Sequence, residues 1–364
     1  MGDAPRETYR APMGTARWDR QVTGMAELAR RGLDAAAFQA QGLDRLRSIV
    51  SIDAVFFATV DPATVLFTSA IAEEPLRAAT PLFLDNEFAR ADVNKFAALA
   101  SSPERVGSLD HATRGKRAES PRYREVLAPL GLGDELRVAL VSGGQCWGVL
   151  CLHREDGESG FSDDEVDLMR RLGPHFGDGL RRGVALSSAP GAAESAGPGI
   201  VVLEPDLSVA SINAQADRWL HDIAGDAWSD RGELPMTIAA AAAALMGDPQ
   251  PLPTGVATRL QTLDGTWITV HASPLEGPAG RRIAVLLEPA TPPQLASLIL
   301  AAYGLTPAQE RVAALVVQGW STRRIMLELE ISSNTLQEHL GGVFEKFGIG
   351  SRRELVAVLS GHRP

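Results

Sequence analysis

The residues able to do chemistry in this 364-residue chain are few and scattered. The two cysteines, Cys146 and Cys151, are five apart, which puts them on opposite faces of a strand and argues against a disulfide between them. The seven histidines, at 111, 153, 175, 221, 271, 339 and 362, show no ligand spacing, and no CxxC occurs, so no metal site is expected. There is no GxSxG, no HExxH, no GxxxxGK and no SxxK in a nucleophile's setting. The carboxylate cluster Asp163-Asp164-Glu165 follows Ser162 at capping-box spacing, so a helix start and its dipole account for it. The chain is therefore expected not to be an enzyme, and to carry no cofactor.

These residues sit on an α+β, multidomain pattern. A net charge of −10 excludes a generally polycationic nucleic-acid binder but leaves room for one small DNA-binding module. With no long apolar run, no membrane association is expected, and the reducing reading of the cysteines points to the cytoplasm. Residues 1–20, polar and rich in Arg, Gly and Pro, read as a mobile arm. Residues 24–186 read as entry helices, a strand pair at 53–72 around Asp61-Pro62, a strand-poor middle, a hairpin at 134–154 turning on Gly143-Gly144, and a helix from Ser162 kinked near Gly173-Pro174. Residues 187–198 read as a linker. Residues 199–290 read as strands, an Ala-rich helix over 239–246 and a closing three-strand sheet turning at Asp264-Gly265. Residues 294–364 read as five helices. Thr306-Pro307-Ala308-Gln309, Ser321 and Ser351–Glu354 mark helix starts, and Leu336, Leu340, Val343, Phe344 and Phe347 form one apolar stripe.

Two short helices joined by a tight turn, the second projecting, make a helix-turn-helix layout. Over 304–359 the residues resemble the LuxR/GerE-type helix-turn-helix family, carried by Leu305-Thr306-Pro307, Glu310, Gly319, Ser321-Thr322, Ile325, Ile331-Ser332, Thr335-Leu336, His339-Leu340, Phe344, Lys346 and Ser351-Arg352. That resemblance implies a tetrahelical, all-α domain that binds double-stranded DNA as a homodimer, with the helix from Ser333 in the major groove. Gln337, Glu338 and Gly341 fall at the base-reading positions, where the family is usually richer in Lys and Arg. Gln337 suits adenine, Glu338 either accepts from cytosine or merely solvates the helix, and Gly341 offers no side chain. Asn334 and His339 belong to the same interface, and Arg323, Arg324, Ser333, Thr335, Lys346, Arg352 and Arg353 are the phosphate candidates. Against Arg311, Arg323, Arg324, Lys346, Arg352 and Arg353 stand Glu310, Glu328, Glu330, Glu338, Glu345 and Glu354, so the module is neutral. RNA polymerase is a further expected contact.

Residues 24–186 resemble a GAF domain by layout and by CWGVLCLHRE…FSDDEVDLMRRL, and 199–290 resemble a PAS-like α/β unit with an opening strand pair, a helix start at Asn213 and a closing three-strand sheet. A GAF resemblance implies a small-molecule pocket between the sheet and the 73–130 region, with Phe57, Phe83, Phe88, Tyr123, Trp147, Cys151 and His153 as lining candidates. Each is equally a core or strand residue. Cys151 is an apolar strand residue or a thiol sensor, and His153 a pocket group or a solvated strand end. Trp219 and Trp267 are expected in the core. The whole reads as a DNA-binding transcription regulator with a sensory front. The alternative is a protein-interaction sensor with a degenerate DNA-binding domain.

Overall fold

A computed structural model describes residues 13–186, 197–246, 255–278 and 280–359. Residues 1–12 of the expected arm, and 187–196 of the expected linker, lie outside them. The chain is mixed helix and sheet, with two five-stranded antiparallel sheets and a helical C-terminal domain.

The arm expected over residues 1–20 is corrected by a helix that already begins at Met13, α1 (Met13–Ala29). Trp18, Val22, Met25 and Ala29 recur at helical spacing and pack into the core, so tertiary burial overrides a polar local composition. The helix α2 (Ala35–Arg47) follows, capped by Asp34, whose carboxylate accepts from the Ala37 N–H at 2.7 Å. Next come β1 (Ala54–Val60), β2 (Phe67–Ala72), α3 (Thr80–Leu84), α4 (Phe96–Ser101), β3 (Val106–Ser108), α5 (Leu109–Thr113), β4 (Leu132–Ser142) and β5 (Gln145–Glu155). Gly143 and Gly144 take φ of 62° and 80°, the left-handed pair a two-residue hairpin needs. The sheet order is β2-β1-β5-β4-β3.

The helix α6 (Asp163–Leu186) runs through Pro174 without ending, and Ser162 and Glu165 close its capping box. Its glycines set how closely it lies on its neighbours. A Cβ at Gly177 would sit 2.9 Å from the Leu140 carbonyl of β4, and one at Gly179 2.2 Å from the Phe38 ring of α2. One sheet face carries α1, α2 and α6 over Val55, Phe57, Leu136, Val138, Leu150 and Leu152. The other carries Phe56, Val149 and Cys151 under the 76–130 segment.

The middle unit is β6 (Gly199–Leu203), β7 (Val209–Ile212), α7 (Ala214–Ala224), α8 (Asp226–Arg231), α9 (Met236–Ala243), β8 (Val256–Gln261), β9 (Trp267–Gly277) and β10 (Gly280–Pro289). Its order, β7-β6-β10-β9-β8, repeats the first sheet's order of second, first, fifth, fourth and third strands. Asn213 caps α7 by accepting from the Ala216 N–H at 2.8 Å, and Trp219 and Trp267 are buried. The alanine run of α9 has a packing reason. Ala241 and Ala242 face the middle unit's own core with Ile238, while Ala239, Ala240 and Ala243 pack into the aromatic core of the first unit. A helix buried on two sides between two sheets has room only for small side chains.

The remaining helices are α10 (Pro292–Ala302), α11 (Pro307–Val317), α12 (Thr322–Leu329), α13 (Ser333–Phe347) and α14 (Arg352–Leu359). Thr306 and Gln309 form the capping box of α11, and Ser321 caps α12. Ser332 caps α13 through the Thr335 N–H at 3.1 Å. Leu336, Leu340, Val343 and Phe347 are its buried stripe.

Candidate functional site

The helix α13 buries one face and presents the other. Ser333, Asn334, Gln337, Glu338 and Gly341 are exposed along it, while Thr335 and His339 are half-buried at its margin. Thr335 Oγ1 shares a hydrogen bond with Ser332 Oγ, 2.9 Å apart. The cations divide into two groups. Arg323 and Arg353 are exposed, and Arg324, also exposed, lies 3.6 Å from the Trp320 ring centroid. Lys346 Nζ instead donates to Gly304 O at 2.7 Å and Gln309 Oε1 at 2.9 Å, and Arg352 donates to the Trp320 carbonyl. Those two hold the domain together, so Arg323, Arg324 and Arg353 are the better phosphate candidates.

The adjacent glycines of α13 separate cleanly. A Cβ at Gly341 would meet open space, whereas one at Gly342 would lie 2.3 Å from Gln309 Nε2. Gly341→Ala should therefore raise the helical domain's stability by up to about 1 kcal/mol. Gly342→Ala should lose that gain by pushing Gln309 off Lys346 and the α11 cap. Paired thermal melts check this, and equal melting shifts for the two would contradict it.

The reader is tied to the rest of the chain at named points. Tyr303, at the end of α10, stacks on Phe347 of α13 with ring centroids 3.8 Å apart and an 11° interplanar angle. Arg181 of α6 donates to the Ala302 carbonyl. Arg259 on β8 pairs with buried Asp61, at the end of β1, at 2.7 Å, and donates to Gln294 O and Ser297 Oγ of α10, both at 2.8 Å. One guanidinium thus joins both sheets to the helix that leads into the reader.

Under the 76–130 segment lies the sensor face. Phe56, Phe67, Phe83 and Phe96 make an aromatic cluster with centroids 4.8–6.5 Å apart, and Phe88 adjoins it. A cavity of about 10 Å³ is lined by Phe56, Ala72, Leu76, Thr80, Phe83, Val126, His153 and, from α9, Met236. Of the lining candidates, Phe83 and His153 meet there, and Cys151 and Phe88 share that face. Tyr123 sits at its edge, its hydroxyl donating to Asp156 Oδ1 at 3.0 Å. Phe57 and Trp147 are corrections, since both face α6 and its neighbours. Phe56-Phe57 is a doublet with no alternation to choose a face, and the β1–β5 register pairs Phe56 with Cys151 and Phe57 with Leu150. Trp147 flips because the β4–β5 register shifts there, Leu140 pairing with Gly148 and Val141 with Cys146.

The sequence reading missed a buried ionic network on this face. Arg122 and Arg137 are fully buried. Arg122 Nη2 lies 2.7 Å from Glu135 Oε2, and Arg137 donates to Glu135 Oε1 at 3.0 Å and Glu87 Oε2 at 2.6 Å. Burial pushes the Glu135 carboxyl up, but the two guanidiniums outweigh it and hold it down to about 2. Burial also lowers the His153 ring to about 4, Arg137 and Arg122 adding to it against Glu135, so the imidazole is neutral. It pushes the Cys151 thiol well up, which makes it a poor nucleophile. The alternation Glu135-x-Arg137 and Cys151-x-His153 on two strands was the available signal.

Comparison with known proteins agrees with both ends of the chain. Residues 34–178 match the GAF domain family, and residues 304–359 match the family described as "Bacterial regulatory proteins, luxR family". No curated protein matches the chain. Among solved structures, the E. coli DhaR(N)–DhaL complex is 14% identical with a TM-score of 0.26, covering 80% of this chain and 94% of that one. The Vibrio cholerae VqmA dimer without target DNA is 17% identical with a TM-score of 0.21, covering 45% and 82%. The VqmA–ligand–DNA complex is 15% identical with a TM-score of 0.22, covering 47% and 86%. At these scores the likeness fixes neither fold nor function. The chain carries a GAF domain and a LuxR-family helix-turn-helix domain, a pairing that supports a sensor-regulated transcription regulator. No helix of the described residues is long and apolar enough to cross a membrane.

Proposed function

We propose that this protein is a cytoplasmic DNA-binding transcription regulator. The GAF domain responds to a small molecule or partner, and the response sets how two copies place their α13 helices on paired half-sites. The observation that carries the reading is the exposed Ser333–Gly341 face on a helix whose other end stacks on Tyr303. Arg181 and Arg259, which donate to α10 just ahead of that stack, offer a route by which a change on the GAF domain would reach it. Dimer binding then distinguishes half-sites about one helical turn apart. The middle unit's strand order supports a PAS-like spacer, with α9 closing the GAF cavity. RNA polymerase is the partner that promoter-bound copies would present themselves to.

A second reading, a protein-docking sensor with a degenerate reader, is favoured by the neutral module and by Leu327, 72% exposed on α12. Salt separates the two. The three phosphate candidates Arg323, Arg324 and Arg353 of each protomer give six contacts in a dimer, so log K for duplex binding should fall against log salt with a slope of about −5. Fluorescence anisotropy of the full chain on duplex DNA measures it. A slope near zero would favour docking to protein.

A further inference from the structure

Glu135, Cys151 and His153 are all buried, and their ligand atoms lie within 4.8 Å of one another, the one such group among the described residues. Glu135 and His153 are directly paired across β4 and β5, and Cys151 stands two residues from His153 on the same face. Two neighbouring strands therefore present a carboxylate, a thiol and an imidazole side by side on rigid backbone. Neither ring nitrogen of His153 has a hydrogen-bond partner among the described residues, although the side chain is 1% exposed. A buried imidazole leaving both nitrogens unpaired is costly and needs an explanation.

We propose that Glu135, Cys151 and His153 bind one divalent transition-metal ion of the zinc or cobalt type. The mixed oxygen, sulfur and nitrogen set suits such an ion rather than calcium or magnesium. Bonds of 2.0–2.3 Å in a tetrahedron place ligand atoms about 3.3–3.8 Å apart, so the three side chains close by about 1 Å from the positions described. Glu135 keeps a carboxylate lone pair for the ion while Arg122 and Arg137 hold its orientation, as outer-shell donors do at carboxylate ligands. Binding releases one proton, from Cys151 Sγ to solvent, and leaves His153 neutral throughout. His153 also lines the small cavity beside the cluster, where about 10 Å³ leaves room for one water-sized ligand to complete the tetrahedron. Phe56, Phe83, Leu76, Val126 and, from α9, Met236 make that cavity largely apolar. The assignment goes beyond the regulator reading and is independent of it, because metal loading is read without DNA.

The test is cobalt(II) titration of the full-length, chelator-stripped protein, followed by absorption and by elemental analysis after gel filtration. The expected result is one cobalt per chain, a thiolate-to-cobalt band in the near ultraviolet, and displacement by zinc. Cys151→Ser should abolish the band, and His153→Gln should weaken binding by about 100-fold or more, each with unchanged circular dichroism. Cys146→Ser, at a thiol outside the cluster, should bind as the parent does and controls for folding. Substoichiometric cobalt without a thiolate band overturns the assignment. So does a Cys151→Ser protein that binds like the parent.

Discussion

Replacing Arg122 by methionine is expected to destabilise the GAF domain by roughly 3–5 kcal/mol. The guanidinium is fully buried and donates to Glu135 Oε2, to Asn86 Oδ1 at 3.2 Å and to the Val93 carbonyl at 3.2 Å. Methionine fills much of the same volume but donates nothing. The Glu135 carboxylate is left with Arg137 alone, and the buried Asn86 Oδ1 and the half-buried Val93 carbonyl lose a donor. The loss is thus one of uncompensated charge rather than of packing. In metal-free protein the GAF unfolding transition should fall by on the order of 10 °C in a calorimetric scan. Adding Glu135→Gln to Arg122→Met removes the orphaned charge and should recover part of the shift. A single variant melting within about 2 °C of the parent, a shift worth roughly 1 kcal/mol at most, would mean that water reaches the network.

Removing Arg323 and Arg353 together is the substitution expected to cost DNA binding most. Both are exposed, whereas Lys346 and Arg352 are tied to Gly304, Gln309 and Trp320. The module's six cations are matched by six carboxylates, so it has no surplus field to fall back on. Charge-assisted phosphate contacts contribute about 1.5–3 kcal/mol each, and a dimer loses four. Duplex affinity should therefore drop at least ~10⁴-fold, and the salt slope should shrink from about −5 to about −2. Lys346→Ala should act differently, lowering the melting temperature of the helical domain while leaving the slope unchanged. If Arg323→Ala/Arg353→Ala kept the parent's slope, the phosphate contacts would lie elsewhere.

The C-terminal helix starts and the central hairpin were legible in the sequence for concrete reasons. Helix starts at Thr306, Ser321 and Ser351 are written in local capping chemistry, which needs no knowledge of what packs against them. The Gly143-Gly144 turn likewise specifies its hairpin. What failed was set by tertiary partners. The helix from Met13 forms because α6 covers it, and Phe57 and Trp147 face α6 because of strand register and one bulge. The sensor network was hidden because Glu87 and Arg122 are far in sequence from the Glu135-x-Arg137 strand pair, and each reads singly as a surface charge. Only the sheet brings them to one face. The same holds for α9, whose alanines look like a propensity signal and are in fact a double interface.

The most direct test of the central claim is selection of duplexes from a random library by the full-length protein at low salt, with and without a metabolite extract. The account predicts a palindromic site with half-sites about one helical turn apart, whose occupancy changes when the extract is present. No enriched sequence at low salt would contradict it, and the exposed Gln337, Glu338 and Gly341 face would then belong to a protein-docking surface instead.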